Sequence, residues 1–113
     1  MATVEQHFEG RAPVVRAIYD QILRAASANG PFTEDPKKTS IHLARRTAFA
    51  GIATRKDALL LTVKSGTDSR SPRVIKREHT SANRWYLIIR LESPKQVDAE
   101  VKGLLKKAIA LAG

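Results

Sequence analysis

Three histidines, one short acidic run and a surplus of arginine and lysine are the residues of this chain with the means to do chemistry. His7, His42 and His79 stand far apart, with no His-x-x-x-His pair and no carboxylate beside a pair. Zinc and related metals need ligands at such spacings, so no metal site is expected. Glu34-Asp35-Pro36-Lys37-Lys38 has the composition of a Mg²⁺-dependent nuclease centre, two carboxylates with a lysine. Here the acids run straight into a proline and form no pair within one strand, and Asp57 sits at a turn. His42 and His79 with a lysine have the groups for metal-free acid–base cleavage of RNA, yet nothing in their spacing unites them. Lys64-Ser65-Gly66-Thr67 lacks the Gly-Lys-Ser/Thr order of a phosphate loop. Ser40, Ser65 and Ser93 have no surroundings that would make a nucleophile. No catalytic residue, cofactor or metal ligand is assigned, and an enzyme is the less favoured reading.

Positive charge is the better lead. The chain carries a formal +9, and residues 31–92 hold thirteen Lys/Arg against six Asp/Glu. A field of that sign favours anionic partners and makes their binding salt-dependent. Arg45-Arg46, Arg55-Lys56, Arg73, Lys76, Arg77 and Arg84 are expected to line the rim of the sheet. The candidate binding set is Lys38, His42, Arg45, Arg46, Arg55, Lys56 and Tyr86, directed at an anionic small ligand or a nucleic-acid backbone. Aromatic residues make up only 5% of the chain. Tyr86 and Trp85 are the ones available for base stacking, and Trp85 is expected in the core, which weighs against sequence-specific reading of nucleic acid.

The elements that position these groups follow from periodicity. Residues 3–9 read as one or two helical turns, with Thr3 and Gln6 at capping-box spacing and Gly10 as the stop. Pro13 suits the first turn of a longer helix. Its stripe is Val14, Val15, Ile18, Ile22, Ala25 and Ala26, with Arg16, Asp20 and Arg24 opposite, and Asn29-Gly30-Pro31 closes it. The period then changes to two. Residues 32–35 suggest a short edge strand, and residues 40–45 alternate, with Ile41 and Leu43 on one face and His42 on the other. Residues 48–54 are small around Phe49 and Ile52, with Gly51 expected to permit a bulge or a close backbone approach. In residues 58–64 Leu59, Leu61 and Val63 oppose Leu60 and Thr62. A Ser/Gly-rich loop over residues 65–72 leads to a weak strand over residues 73–79. In residues 85–91 Trp85, Leu87, Ile89 and Leu91 oppose Tyr86, Ile88 and Arg90. Ser93-Pro94 with Gln96 starts a last helix whose stripe is Val97, Val101, Leu104, Leu105, Ala108 and Leu111.

The expected fold is therefore α+β: an antiparallel sheet of about five strands, a meander, with the N-terminal and C-terminal helices packed on one face. A chain of 113 residues makes one domain, residues 1–113, with a single core. The other sheet face, with His42, Leu60, Thr62, Tyr86 and Ile88, is left uncovered and is a candidate surface for a homodimer or a neighbouring domain. Absence of cysteine rules out disulfides and thiolate metal sites. No apolar run nears the roughly 20 residues that span a bilayer, and residues 1–10 lack a signal-peptide pattern. A cytoplasmic protein without membrane contact is expected.

Taken in order, several short pieces resemble a family of small bacterial domains of unknown function, sometimes labelled predicted transport proteins. They are His7-Phe8-Glu9-Gly10-Arg11 with Pro13 and Tyr19-Asp20; Lys38-Thr39-Ser40-Ile41; Phe49-Ala50-Gly51 with Arg55-Lys56-Asp57; Asp68-Ser69, Ser71-Pro72-Arg73-Val74 and Asn83-Arg84-Trp85; and Ser93-Pro94 with Val97-Asp98 and Glu100. The resemblance covers nearly the whole chain and implies an accessory or binding module beside other domains. Where relatives place histidine after the tryptophan, this chain has Leu87 and Ile88, so a site built on those histidines is absent.

Overall fold

The computed structural model describes residues 3–112. At the N-terminal end the Gln6 N–H donates to Thr3 Oγ1 (3.2 Å) and the Thr3 N–H to Gln6 Oε1 (2.8 Å). This reciprocal cap holds a short 3-10 helix, Glu5–Phe8. Helix α1, Pro13–Ser27, begins on its proline and buries Val15, Ile18, Tyr19, Ile22 and Ala26. Val14 and Ala25 flank that stripe half-buried. Tyr19 was not anticipated in the stripe. Its hydroxyl donates to Glu34 Oε1 at 2.6 Å, which ties α1 to the first strand. Burial, and then the neighbouring Glu34 carboxylate, push that phenol well above its usual range. Gly30, at φ +113°, turns the chain into the sheet in a conformation that side chains disfavour.

Six strands follow: β1 Thr33–Pro36, β2 Ile41–Ala44, β3 Ala48–Thr54, β4 Leu59–Ser65, β5 Val74–Ser81 and β6 Arg84–Leu91. All neighbours are antiparallel, in the order β1-β2-β3-β4-β6-β5. Two expectations are corrected. The sheet has six strands where about five were expected, and it is not a plain meander, because β6 returns between β4 and β5. The burial patterns give the reason. β6 buries Leu87, Ile89 and Leu91, so a neighbour on each side shelters it, whereas β5 buries only Val74 and is suited to an edge.

The β4–β5 crossing is fastened by arginines. Arg73 Nη1 reaches Asp98 Oδ2 at 2.7 Å and Nη2 donates to the Gln96 carbonyl at 2.8 Å, while the Ser71 hydroxyl donates to Glu100. Arg77 pairs with Asp68 at 2.9 Å and donates to the Ser69 carbonyl. These two cations hold the fold's one non-sequential connection.

Both helices lie on the same face. α2, Ala99–Leu111, sits over β3 and β4, and α1 packs against α2 and β4. One apolar cluster fills the space between, including Ile41, Leu43, Ile52, Leu59, Leu61, Val63, Leu87, Ile89 and Leu91. Trp85 lies at its margin, half-buried, its ring parallel to that of His79 at 4.0 Å. The Ser93 capping box forms as expected but caps a short 3-10 helix, Pro94–Gln96. Val97 then breaks helical geometry (φ −81°, ψ 69°), and α2 starts from its own cap, the Asp98 carboxylate accepting from the Val101 N–H at 3.2 Å. That hydrogen bond, with Arg73 beside it, holds the Asp98 carboxyl below the usual carboxylate range. The restart shifts the buried stripe to Val101, Leu105, Ala108, Ile109 and Ala112, leaving Leu111 42% exposed. Ser93→Ala removes the acceptor of the Lys95 N–H and is expected to cost about 1 kcal/mol in a denaturant melt.

Candidate functional site

The basic joints do not converge. Arg45 and Arg46 lie in the turn between β2 and β3, and Arg55 and Lys56 in the turn between β3 and β4. The seven-residue β3 separates the two turns, about 23 Å at the usual strand rise. Lys38, in the β1–β2 turn, shares the Arg55 end. Several of these residues also have local partners. Arg45 donates to the Asn29 carbonyl at 3.3 Å, Arg55 to its neighbour Thr54, and the Lys56 carbonyl accepts from Ala12 N–H at 2.7 Å.

His42 and Tyr86 do come together with other groups, on the uncovered sheet face. Register places His42, Gly51, Thr62 and Ile88 in one row across β2, β3, β4 and β6. Lys64 and Tyr86 are partners in the adjacent row. Between them is a hollow of about 360 Å³, walled by Ser40, His42, Thr62, Lys64 and Tyr86 and floored by β3 at Gly51. Three strand spacings separate β2 from β6, so the trough is about 14 Å wide.

Residue size makes this hollow. Gly51 has no side chain, and its neighbours on the β3 lining, Ala48 and Ala53, are small. A Cβ placed on Gly51 would meet only the Thr62 Cβ, at 3.9 Å. The glycine therefore serves neither a bulge nor a close backbone approach, as the sequence had suggested. The register shift lies at Leu43/Ala44, where Leu43 faces Ala50 and Ala44 faces Ala48. The extra residue, Phe49, is buried edge-on to Phe32.

Lys64 is the cation of the site, and the sequence reading passed over it. Alternation with Leu59, Leu61 and Val63 was the available signal, since it puts Lys64 on the Thr62 face. The Lys64 ammonium donates to Thr47 Oγ1 at 3.2 Å, and no ion pair to it forms among the described residues. Burial, and then the positive charge of Arg84, lower its pKa from the usual lysine value. Of the acids nearest in register, Asp35 is held by Lys37 at 2.8 Å, and Glu78 lies beyond Tyr86 on β5.

A second hollow, about 410 Å³, lies between α1 and α2 and is lined by Arg24, Lys102 and Lys106 with Gln21 and Asn29. Its three cations are exposed and come from segments far apart in the chain. The histidines stay separate: His7 Nε2 bonds the Lys37 carbonyl at 2.7 Å, His42 lines the sheet hollow and His79 stacks on Trp85. Among the described residues no group of three or more His, Asp or Glu is placed to hold a metal ion, and no helix is long and apolar enough to cross a membrane.

Residues 4–112 match the family model described as Domain of unknown function (DUF5655). That description carries no transport activity, so the transport label attached to the resemblance is unsupported. No curated protein and no solved structure matches the chain.

Proposed function

We propose a binding role for this chain, which belongs to the DUF5655 family of domains of unknown function: it holds a small anionic ligand in the hollow on its open sheet face. Lys64 supplies the charge, and His42, Tyr86, Ser40 and Thr62 supply polar contacts around the ligand. The observation that carries this reading is a partly exposed lysine with no carboxylate partner among the described residues, set in the wall of an apolar-floored hollow. A cation that no carboxylate neutralises can pair with an incoming anion, and the apolar floor beside it strengthens that attraction.

A nucleic-acid backbone fits less well. It needs cations spaced along one track, whereas Arg45-Arg46 and Arg55-Lys56 sit at opposite ends of β3 and the face between them is largely apolar.

The test is an NMR titration of ¹⁵N-labelled protein with small monovalent organic anions at low ionic strength. Resonances of Gly51, Thr62 and Lys64 are expected to move together, and Lys64→Met to remove the response while the protein stays folded. A response centred on Arg45-Arg46, or one indifferent to Lys64→Met, overturns the reading. The pH dependence has a definite sign. Only the protonated amine attracts the anion, and its pKa lies below the usual 10.5. Affinity is therefore expected to fall as pH rises through that lowered value, earlier than for an exposed lysine, and Lys64→Met to show no such step.

A further inference from the structure

Resting on that reading, we infer that the ligand is a monocarboxylate with a flat apolar body, an arene- or alkene-carboxylate, rather than phosphate. The first argument concerns donors. β3 is paired with β2 and β4, and β4 with β3 and β6. The backbone N–H groups of the floor are therefore committed to ladders, and none gathers into the kind of nest that cradles phosphate. Lys64 is the one Lys or Arg in the lining. A single ammonium balances a carboxylate, but it leaves the second charge of a phosphate facing an apolar floor with no fork of guanidinium donors to meet it.

The second argument concerns shape. With Gly51 at its centre and Ala48 and Ala53 on the same strand, the β3 part of the floor is apolar and carries no bulky side chain beside the glycine. Tyr86, an aromatic residue, walls the same trough next to its cross-strand partner Lys64. A planar body laid on Gly51 covers apolar surface below and meets the Tyr86 ring at its side, with its carboxylate toward Lys64. The hydroxyls of Tyr86 and Ser40 and a ring nitrogen of His42 are left to receive the second carboxylate oxygen or a polar substituent. The groove between α1 and α2 has the opposite character, with three exposed cations. It is the place on this molecule where phosphate would be drawn, and it serves as an internal control.

Four probes separate the possibilities in one NMR experiment at fixed pH and ionic strength: benzoate, acetate, benzyl alcohol and inorganic phosphate. Benzoate is expected to shift Gly51, Thr62 and Tyr86 to saturation. Acetate lacks the ring and benzyl alcohol lacks the charge, and each is expected to bind the same residues about tenfold more weakly or worse. Phosphate is expected to leave these residues unmoved. If acetate or phosphate matches benzoate at this face, the apolar-body inference falls and the anion reading stands. If benzyl alcohol matches benzoate, charge is irrelevant and both fall. Silence of the face toward all four overturns both as well.

Discussion

Gly51→Val is expected to abolish benzoate binding to the open sheet face, a loss of at least about 30-fold, without unfolding the protein. Valine's branched side chain would occupy the volume above the β3 floor that the hollow depends on. Nothing in the backbone resists the change. Gly51 is not among the glycines at positive φ, and a Cβ there meets only Thr62 at an ordinary 3.9 Å. Replacing a glycine inside a strand by a β-branched residue is expected to leave stability equal or raised by about 0.5–1 kcal/mol. Titration and a urea melt on the same sample give both readouts. Wild-type affinity in a folded Gly51→Val protein would place the ligand elsewhere.

Leu61→Ala is expected to cost about 3 kcal/mol, within the roughly 2–5 kcal/mol seen for burying and then deleting a leucine side chain. Leu61 is fully buried in the middle of β4, opposite Ile52 on β3 and Ile89 on β6, on the face α2 covers. Against a total stability of about 5–15 kcal/mol, and with a urea slope of about 1–2 kcal/mol/M, the midpoint should fall by about 2 M. The control is its neighbour. Leu60 is half-buried on the open face, and Leu60→Ala should cost no more than about 1 kcal/mol. Equal losses at the two positions would mean that both faces of the sheet are covered, leaving no open hollow. Such a result would count against the binding site as well as the packing.

The strand faces were legible because alternation is local. Ile41, Leu43, Leu59, Leu61, Val63, Leu87, Ile89 and Leu91 all lie on the core side as their spacing implied, and His42 and Tyr86 emerged opposite them, in one hollow. The Thr3–Gln6 and Ser93–Gln96 boxes formed as their spacings required. The second box did not launch the long helix, because Asp98, a better-placed carboxylate cap, restarts it. Tyr19 was misjudged for a related reason. A tyrosine inside a stripe is buried only when a partner for its hydroxyl waits there, and Glu34 stands on a different element.

Sequence by itself determined the α+β class, the two amphipathic helices, the inward side of each strand and the excess of positive charge. Periods of 2 and 3.6 and capping signals are properties of neighbouring residues, so they are written locally. Tertiary structure alone decided that β6 lies between β4 and β5, and that Arg73 and Arg77 fasten the crossing. It also decided that Gly51, Lys64 and Tyr86 meet over one floor. Strand partners are chosen through space, by which apolar faces can be sheltered together. No spacing along the chain encodes that a lysine on β4 will stand beside a glycine on β3 and a tyrosine on β6.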